Sequence, residues 1–205
     1  MQLKSSLIRD INVEDNETWI NSIFITIDVD WAPDEVIFDT LDLLNKYNCK
    51  ATFFATHNIE VFSSINEKDV EIGIHPNFNP LLQGNNKYGE DYEQVIDYYL
   101  NLYPNSVSVR SHSMTQNTPI LRAFSNAGLK FDCNHFFPYH NSKILLSPFC
   151  FWDNNLIRIP YFWEDDVNLL FFEQKHTISH LLKNQGLKVF DFHPIHIYLN
   201  TYSID

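Results

Sequence analysis

Short apolar or β-branched runs recur along this chain, and most of them stop at an acid, a histidine or an arginine. Ile23 to Ile27 stops at Asp28 and Asp30, Ala51 to Thr56 at His57, and Val70 to Ile74 at His75. Val107 to Val109 stops at Arg110, Leu129 to Cys133 (with Asp132 near its end) at Asn134 and His135, and Leu187 to Phe192 at His193. Leu156 to Pro160 leads to Trp163 and Asp165. Between the runs lie stretches with helical spacing, such as Val36, Ile37, Leu41 and Leu44, or Tyr92, Val95, Ile96 and Tyr99. Strands that are apolar on both faces and separated by helices are parallel strands buried under a helical layer. The expected fold class is therefore α/β, either a doubly wound sheet or a distorted (β/α) barrel with about seven parallel strands. In a barrel the C-terminal strand ends share one mouth, where active sites are built.

The pair Asp28-Val29-Asp30 is the sharpest of these endings. Alternate residues of an extended strand share a face, so both carboxylates are expected to point the same way. Two converging acids raise each other's proton affinity unless a cation or water relieves them. The pair reads either as a solvated strand exit or as a metal ligand beside a general base.

Composition narrows the rest. A chain of 205 residues with 44% apolar content is most simply one folded domain. Residues 1–22 read as a polar lead-in that packs Trp19 and Ile20 against a single domain spanning 23–205. The balance of 14 basic and 26 acidic residues, a net −12, discourages binding to a phosphate backbone, so no nucleic-acid partner is expected. Cys49, Cys133 and Cys150 are scattered, as expected of reduced, mostly buried thiols in a cytoplasm. No signal peptide is read at the N-terminus, and no stretch approaches the ~20 apolar residues of a membrane span. Residues 76–89 read as a loop, and 176–185 as a helix carrying His176 and His180 on one face. His57, His135, His140, His176 and His180 are given no role.

Five short motifs in order give the series a family likeness over about residues 23–198. It resembles the NodB-homology polysaccharide deacetylases of carbohydrate esterase family four, and within them the WbmS-like branch of O-antigen and capsule clusters. By that resemblance Asp28 is the general base and Asp30 a metal ligand. The family's second motif has two histidines four apart; here His75 takes the first place and Asn79 the second. An amide carbonyl is a poorer ligand than imidazole for a zinc-like ion. The third motif supplies Arg110, which orients the base, followed here by Ser111-His112-Ser113. His112 is either the missing ligand or a substrate contact. Trp163 and Asp165 match the aromatic wall with its acid, and His193 matches the histidine that protonates the leaving group.

The resemblance implies metal-assisted amide hydrolysis with a divalent ion, zinc or one like cobalt or nickel. Trp31, Trp163 and Asp165 are expected to contact an acylated sugar, either free or nucleotide- or lipid-linked. The expected setting is cytoplasmic surface-polysaccharide biosynthesis. Two rival readings accompany it: a metal-free or otherwise different C–N hydrolase on the same scaffold, and a non-catalytic carbohydrate-binding homologue. The residues leave the oligomeric state, the sugar and the acyl group open.

Overall fold

A computed structural model describes residues 3–138, 145–171, 178–183 and 185–202. His140 and His176 lie outside the described residues, and the helix expected over 176–185 is described only from Ile178 to Leu181.

The strands are β1 (Lys4–Ser6), β2 (Ser22–Asp28), β3 (Ala51–Ala55), β4 (Val70–Ile74) and β5 (Ser108–Val109). After them come β6 (Phe131–Asp132), β7 (Phe149–Cys150), β8 (Ile157–Arg158), β9 (Trp163–Glu164) and β10 (Val189–Phe192). They form one curled sheet in the order β7-β8-β6-β5-β4-β3-β2-β10-β9, with β1 also paired to β2. Every pairing is parallel except β7 with β8. Among the described residues the path ends at β7 and β9 without closing, which makes an open half-barrel. The seven strands expected from apolar runs are β2, β3, β4, β5, β6, β8 and β10. The three additional strands, two or three residues long, lie outside the apolar runs read as strands.

Helices cover the outside. α1 (Asp34–Lys46) starts after Pro33 with Asp34 and Glu35 in its first turn, where acids suit the helix dipole, and buries Val36, Ile37, Thr40 and Leu41. α2 (Asn79–Leu82) is a single turn inside the expected loop. α3 (Tyr92–Leu102) is capped by Asp91 and α4 (Thr118–Asn126) by Asn117, each side chain accepting from a first-turn amide. α5 (Asp165–Phe171) follows β9 directly, α6 (Ile178–Leu181) is the turn noted above, and α7 (Pro194–Tyr198) follows β10.

The lead-in is knit into this frame. β1 pairs with Ser22 to Phe24, and Leu7, Ile8 and Ile11 are buried behind it. The Ile8 amide donates to Thr52 Oγ1 (3.2 Å), and the Arg9 amide donates to Glu71 Oε2 (2.9 Å). Glu71 is itself buried and also accepts from Thr52 and Ser108. Of the three free thiols only Cys133 is buried; Cys49 is half-buried and Cys150 exposed, so the expectation of mostly buried thiols is corrected.

Gly73 on β4 is required by a close approach. A Cβ there would stand 2.8 Å from the Phe54 ring and 2.8 Å from the Ser108 carbonyl oxygen. Gly73→Ala is expected to destabilise the fold by roughly 1–3 kcal/mol, as overpacking does, read from urea unfolding.

Candidate active site

The strand ends converge on a cleft of about 140 Å³ lined by Asp28, Asp30, His75, Ser111, His112, Ser113, Met114, Tyr161, Glu164, Asp166 and His193. A larger groove of about 810 Å³, running past Ile59, Phe62, Ile65 and Tyr103, contains none of these residues. Chemistry rather than size singles out the small cleft.

Asp28 ends β2 with its side chain facing the interior. Thr26 shares its face, and the register sets Asp191 of β10 beside Thr26. Arg110, just past β5, reaches this face from across the sheet. Its Nη1 donates to Asp28 Oδ1 (2.8 Å), to Thr26 Oγ1 (3.1 Å) and to Asp191 Oδ1, while Nε donates to the Cys133 carbonyl (3.0 Å). The guanidinium lies between the Phe54 and Tyr161 rings, 4.7 and 4.3 Å from their centroids. Burial pushes the Arg110 pKa down, but the Asp191 and Asp28 charges outweigh it and hold the group protonated. Burial also raises Asp191, which Arg110 counteracts only in part, leaving it at about 7.

Asp30 reaches the cleft in a different way from the one its spacing predicts. β2 stops at Asp28, and Asp30 and Trp31 are consecutive left-handed residues (φ 42° and 60°) in a turn closed by the Ala32 amide on the Val29 carbonyl (2.9 Å). Each such non-glycine residue costs on the order of 1–2 kcal/mol. Strain of this kind persists where surrounding structure holds it, often at functional sites. Here the Trp31 amide donates to Thr56 Oγ1 (3.1 Å). The turn aims one oxygen, Asp30 Oδ1, at two imidazoles: His75 Nε2 at 3.3 Å and His112 Nδ1 at 3.1 Å. Burial raises the Asp30 pKa, but the His112 and His75 contacts outweigh it and hold the carboxyl well below the usual range.

Two imidazole nitrogens and one carboxylate oxygen, converging within 4.8 Å of one another, are a donor set suited to a zinc-like divalent ion. His75 is buried (2% exposed), and its other nitrogen faces Asp28 Oδ2 at 3.8 Å. The structure thus brings His112 to Asp30 and His75. Asn79 stands at the start of α2, does not line the cleft, and gives its amide to Ser113 Oγ (3.2 Å). The chain turns into a helix at Asn79, which carries that side chain away from the partner its spacing suggests. His112→Ala is expected to lose a bound divalent ion and Asn79→Ala to keep it, read from metal content after dialysis.

His193, the residue after β10, closes the other side. Its backbone N–H donates to Asp165 Oδ2 (2.8 Å), and its Nδ1 is 2.7 Å from Asp165 Oδ1. Burial pushes this imidazole down, but the Asp165 hydrogen bond and the charges of Asp191 and Asp165 outweigh it, and the pKa rises to about 11. Nε2 is left facing the cleft, 3.8 Å from Asp30 Oδ2.

Two expected substrate contacts are corrected. Asp165 is buried with both oxygens on His193, so it orients that ring. Trp163 is 8% exposed and packs on Phe190 and Phe192. Parity explains this: β9 pairs Trp163 with Phe190 and Glu164 with Asp191, so Trp163 faces the core and Glu164 the cleft. Trp31 stays at the rim, 42% exposed, with its ring edge-to-face on His112 at 4.9 Å.

Tyr161 was missed from sequence, while Glu164 and Asp166, within the run Trp163-Glu164-Asp165-Asp166 that matches the aromatic wall, and Asp191, within the run before His193, were seen but given no role. Tyr161 donates to Glu164 Oε2 (3.0 Å), and burial with the Asp191 and Asp166 charges pushes Glu164 up to about 9. Asp191 left its own signal, as an acid inside the apolar run Val189–Phe192 and two residues before His193.

The model of the WbmS-like polysaccharide deacetylase family matches residues 25–205. No curated protein matches the sequence. Among solved structures, a Bordetella bronchiseptica protein described as a polysaccharide deacetylase involved in O-antigen biosynthesis is 40% identical. That match covers 99% of this chain and 83% of the other, with a TM-score of 0.89. A Mycobacterium smegmatis protein described as a polysaccharide deacetylase shares the fold at 17% identity and a TM-score of 0.56, over 94% of this chain and 82% of its own. A 4-alpha-glucanotransferase of Thermococcus litoralis shares it at 12% identity and a TM-score of 0.55, over 85% of this chain and 33% of its own.

Proposed function

Since the chain belongs to the WbmS-like polysaccharide deacetylase family, a family of deacetylase hydrolases, we propose that it removes an acyl group, acetyl in the first instance, from an amino sugar during surface-polysaccharide assembly. The O-antigen role described for the Bordetella relative supports that setting. No helix among the described residues is long and apolar enough to cross a membrane. Nucleotide- or lipid-linked sugars presented in the cytoplasm are the substrates this reading favours. The observation that carries it is the convergence of Asp28 on Arg110, Asp30 on His75 and His112, and His193 on Asp165 around one small cleft.

Asp28, oriented by its hydrogen bond from Arg110, accepts the proton of the attacking water. Water oxygen joins the acyl carbon, and the carbon–nitrogen bond breaks. Protonated His193 gives its Nε2 proton to the departing amine, which would otherwise leave as a prohibitively basic anion. Asp165 holds Nδ1 and so keeps Nε2 aimed at the cleft. A divalent ion held by Asp30, His75 and His112 would polarise the acyl oxygen and acidify water. Asn79 in the place of a histidine favours the metal-free alternative, whereas His112 beside Asp30 supports the metal-bound reading. Incubation with acylated amino sugars, free and nucleotide-linked, is expected to release the carboxylic acid. No release from any of them with any divalent metal would refute the assignment.

A pH profile examines the acid. Because His193 has a raised pKa, it is protonated at neutral pH, and activity should fall only as pH rises toward that value. Asp165→Asn removes both a hydrogen bond and a charge that favour the imidazolium, while burial still opposes it. The alkaline limb of kcat/KM is expected to move down by about one to three pH units. An unmoved limb would dissociate His193 from the proton transfer.

A further inference from the structure

Ser111 lies between Arg110, which grips Asp28, and His112, which faces Asp30. It is 1% exposed and lines the cleft. Its main chain is fully engaged: the amide donates to Asn134 Oδ1 (2.8 Å), and the carbonyl accepts from the Met114 amide (2.9 Å). Asn134 is buried and in turn donates to Asp132 Oδ1 (2.5 Å), so the position of Ser111 is fixed from beneath by the end of β6. The Ser111 hydroxyl, in contrast, has no hydrogen-bond partner among the described residues.

Buried hydroxyls in native proteins are nearly always bonded, and a hydroxyl both donates and accepts. An unpaired buried hydroxyl on a residue that lines a reaction cleft marks where a ligand can supply the partner. The cleft is small enough to seat the acylamino group and the adjoining ring atoms, with the rest of a saccharide outside. Ser111 lines the cleft together with Asp28 and Asp30, where the acyl carbon has to lie for water deprotonated by Asp28 to reach it.

We infer that the Ser111 hydroxyl hydrogen-bonds the substrate's acylamino group and sets the preference for acylated over free amino sugars. This rests on the hydrolase reading above, and its test does not depend on turnover. In an Asp28→Asn background, N-acetylglucosamine, UDP-N-acetylglucosamine and glucosamine are titrated against the protein with and without Ser111→Ala, with affinity read by ligand-observed NMR. Ser111→Ala is expected to weaken both acetylated sugars by about 10-fold and leave glucosamine unchanged. Ser111→Cys, which preserves the shape but is a poorer donor, is expected to fall between, and it carries the test if the alanine variant does not fold. Equal affinity of both proteins for the acetylated sugars overturns the contact, as does an equal loss for glucosamine. Selective weakening without turnover by the unmodified enzyme would refute the hydrolase reading and leave the contact standing. Turnover unchanged by Ser111→Ala would do the reverse, and neither binding nor turnover would overturn both.

Discussion

Asp28→Asn is expected to lower turnover of an acylated amino sugar by about a thousandfold while leaving fold and metal content unchanged. An amide cannot accept the proton that a carboxylate takes from water. It can still accept the 2.8 Å hydrogen bond from Arg110, so the interior loses little geometry. Arg110 also keeps Asp191 as a counter-charge. Base catalysis contributes 10²–10⁴-fold in typical enzymes, and the loss expected here lies within that range. Steady-state kinetics, thermal unfolding and elemental analysis on one preparation check the three parts together. Normal turnover would remove Asp28 from the role of base.

Arg110→Met is expected to be the most destabilising single change, at about 3–5 kcal/mol near neutral pH. It leaves Asp28 (6% exposed) and Asp191 (0% exposed) facing each other without a cation, and strips a donor from Thr26 and the Cys133 carbonyl. The pH dependence has a definite sign. Without Arg110 the buried Asp191 carboxyl, already raised to about 7, binds its proton more tightly still when folded, so the variant is relatively most stable at low pH and loses stability as pH rises. The gap to the unaltered protein in urea should therefore be narrower at pH 5 than at pH 8. A constant gap would mean the two acids are relieved by something other than Arg110.

The chemistry was more legible in the sequence than the geometry. Strands β2, β3, β4 and β10 announced themselves because burial on both faces demands continuous apolar runs. β7 and β9 lie at the sheet's two ends and are two residues each, and the second defeated the choice of wall residue. One step of register decides whether Trp163 or Glu164 meets the cleft, and register is set by β10 rather than by local sequence. Asp28 and Asp30 both line the cleft, but Asp30 arrives there through a turn and not along an extended strand. Left-handed Asp30 and Trp31 carry no glycine to mark a turn, so an extended strand was the natural reading. His112 and Asn79 were indistinguishable by spacing because the deciding event is where α2 begins.

The most direct test of the account strips the purified enzyme with a chelator, restores zinc stepwise, and measures released amine and metal content on the same samples. Amine release is expected to fall and return in proportion to one ion per chain, and His112→Ala is expected not to recover. Full amine release from protein carrying a negligible fraction of an ion would contradict it.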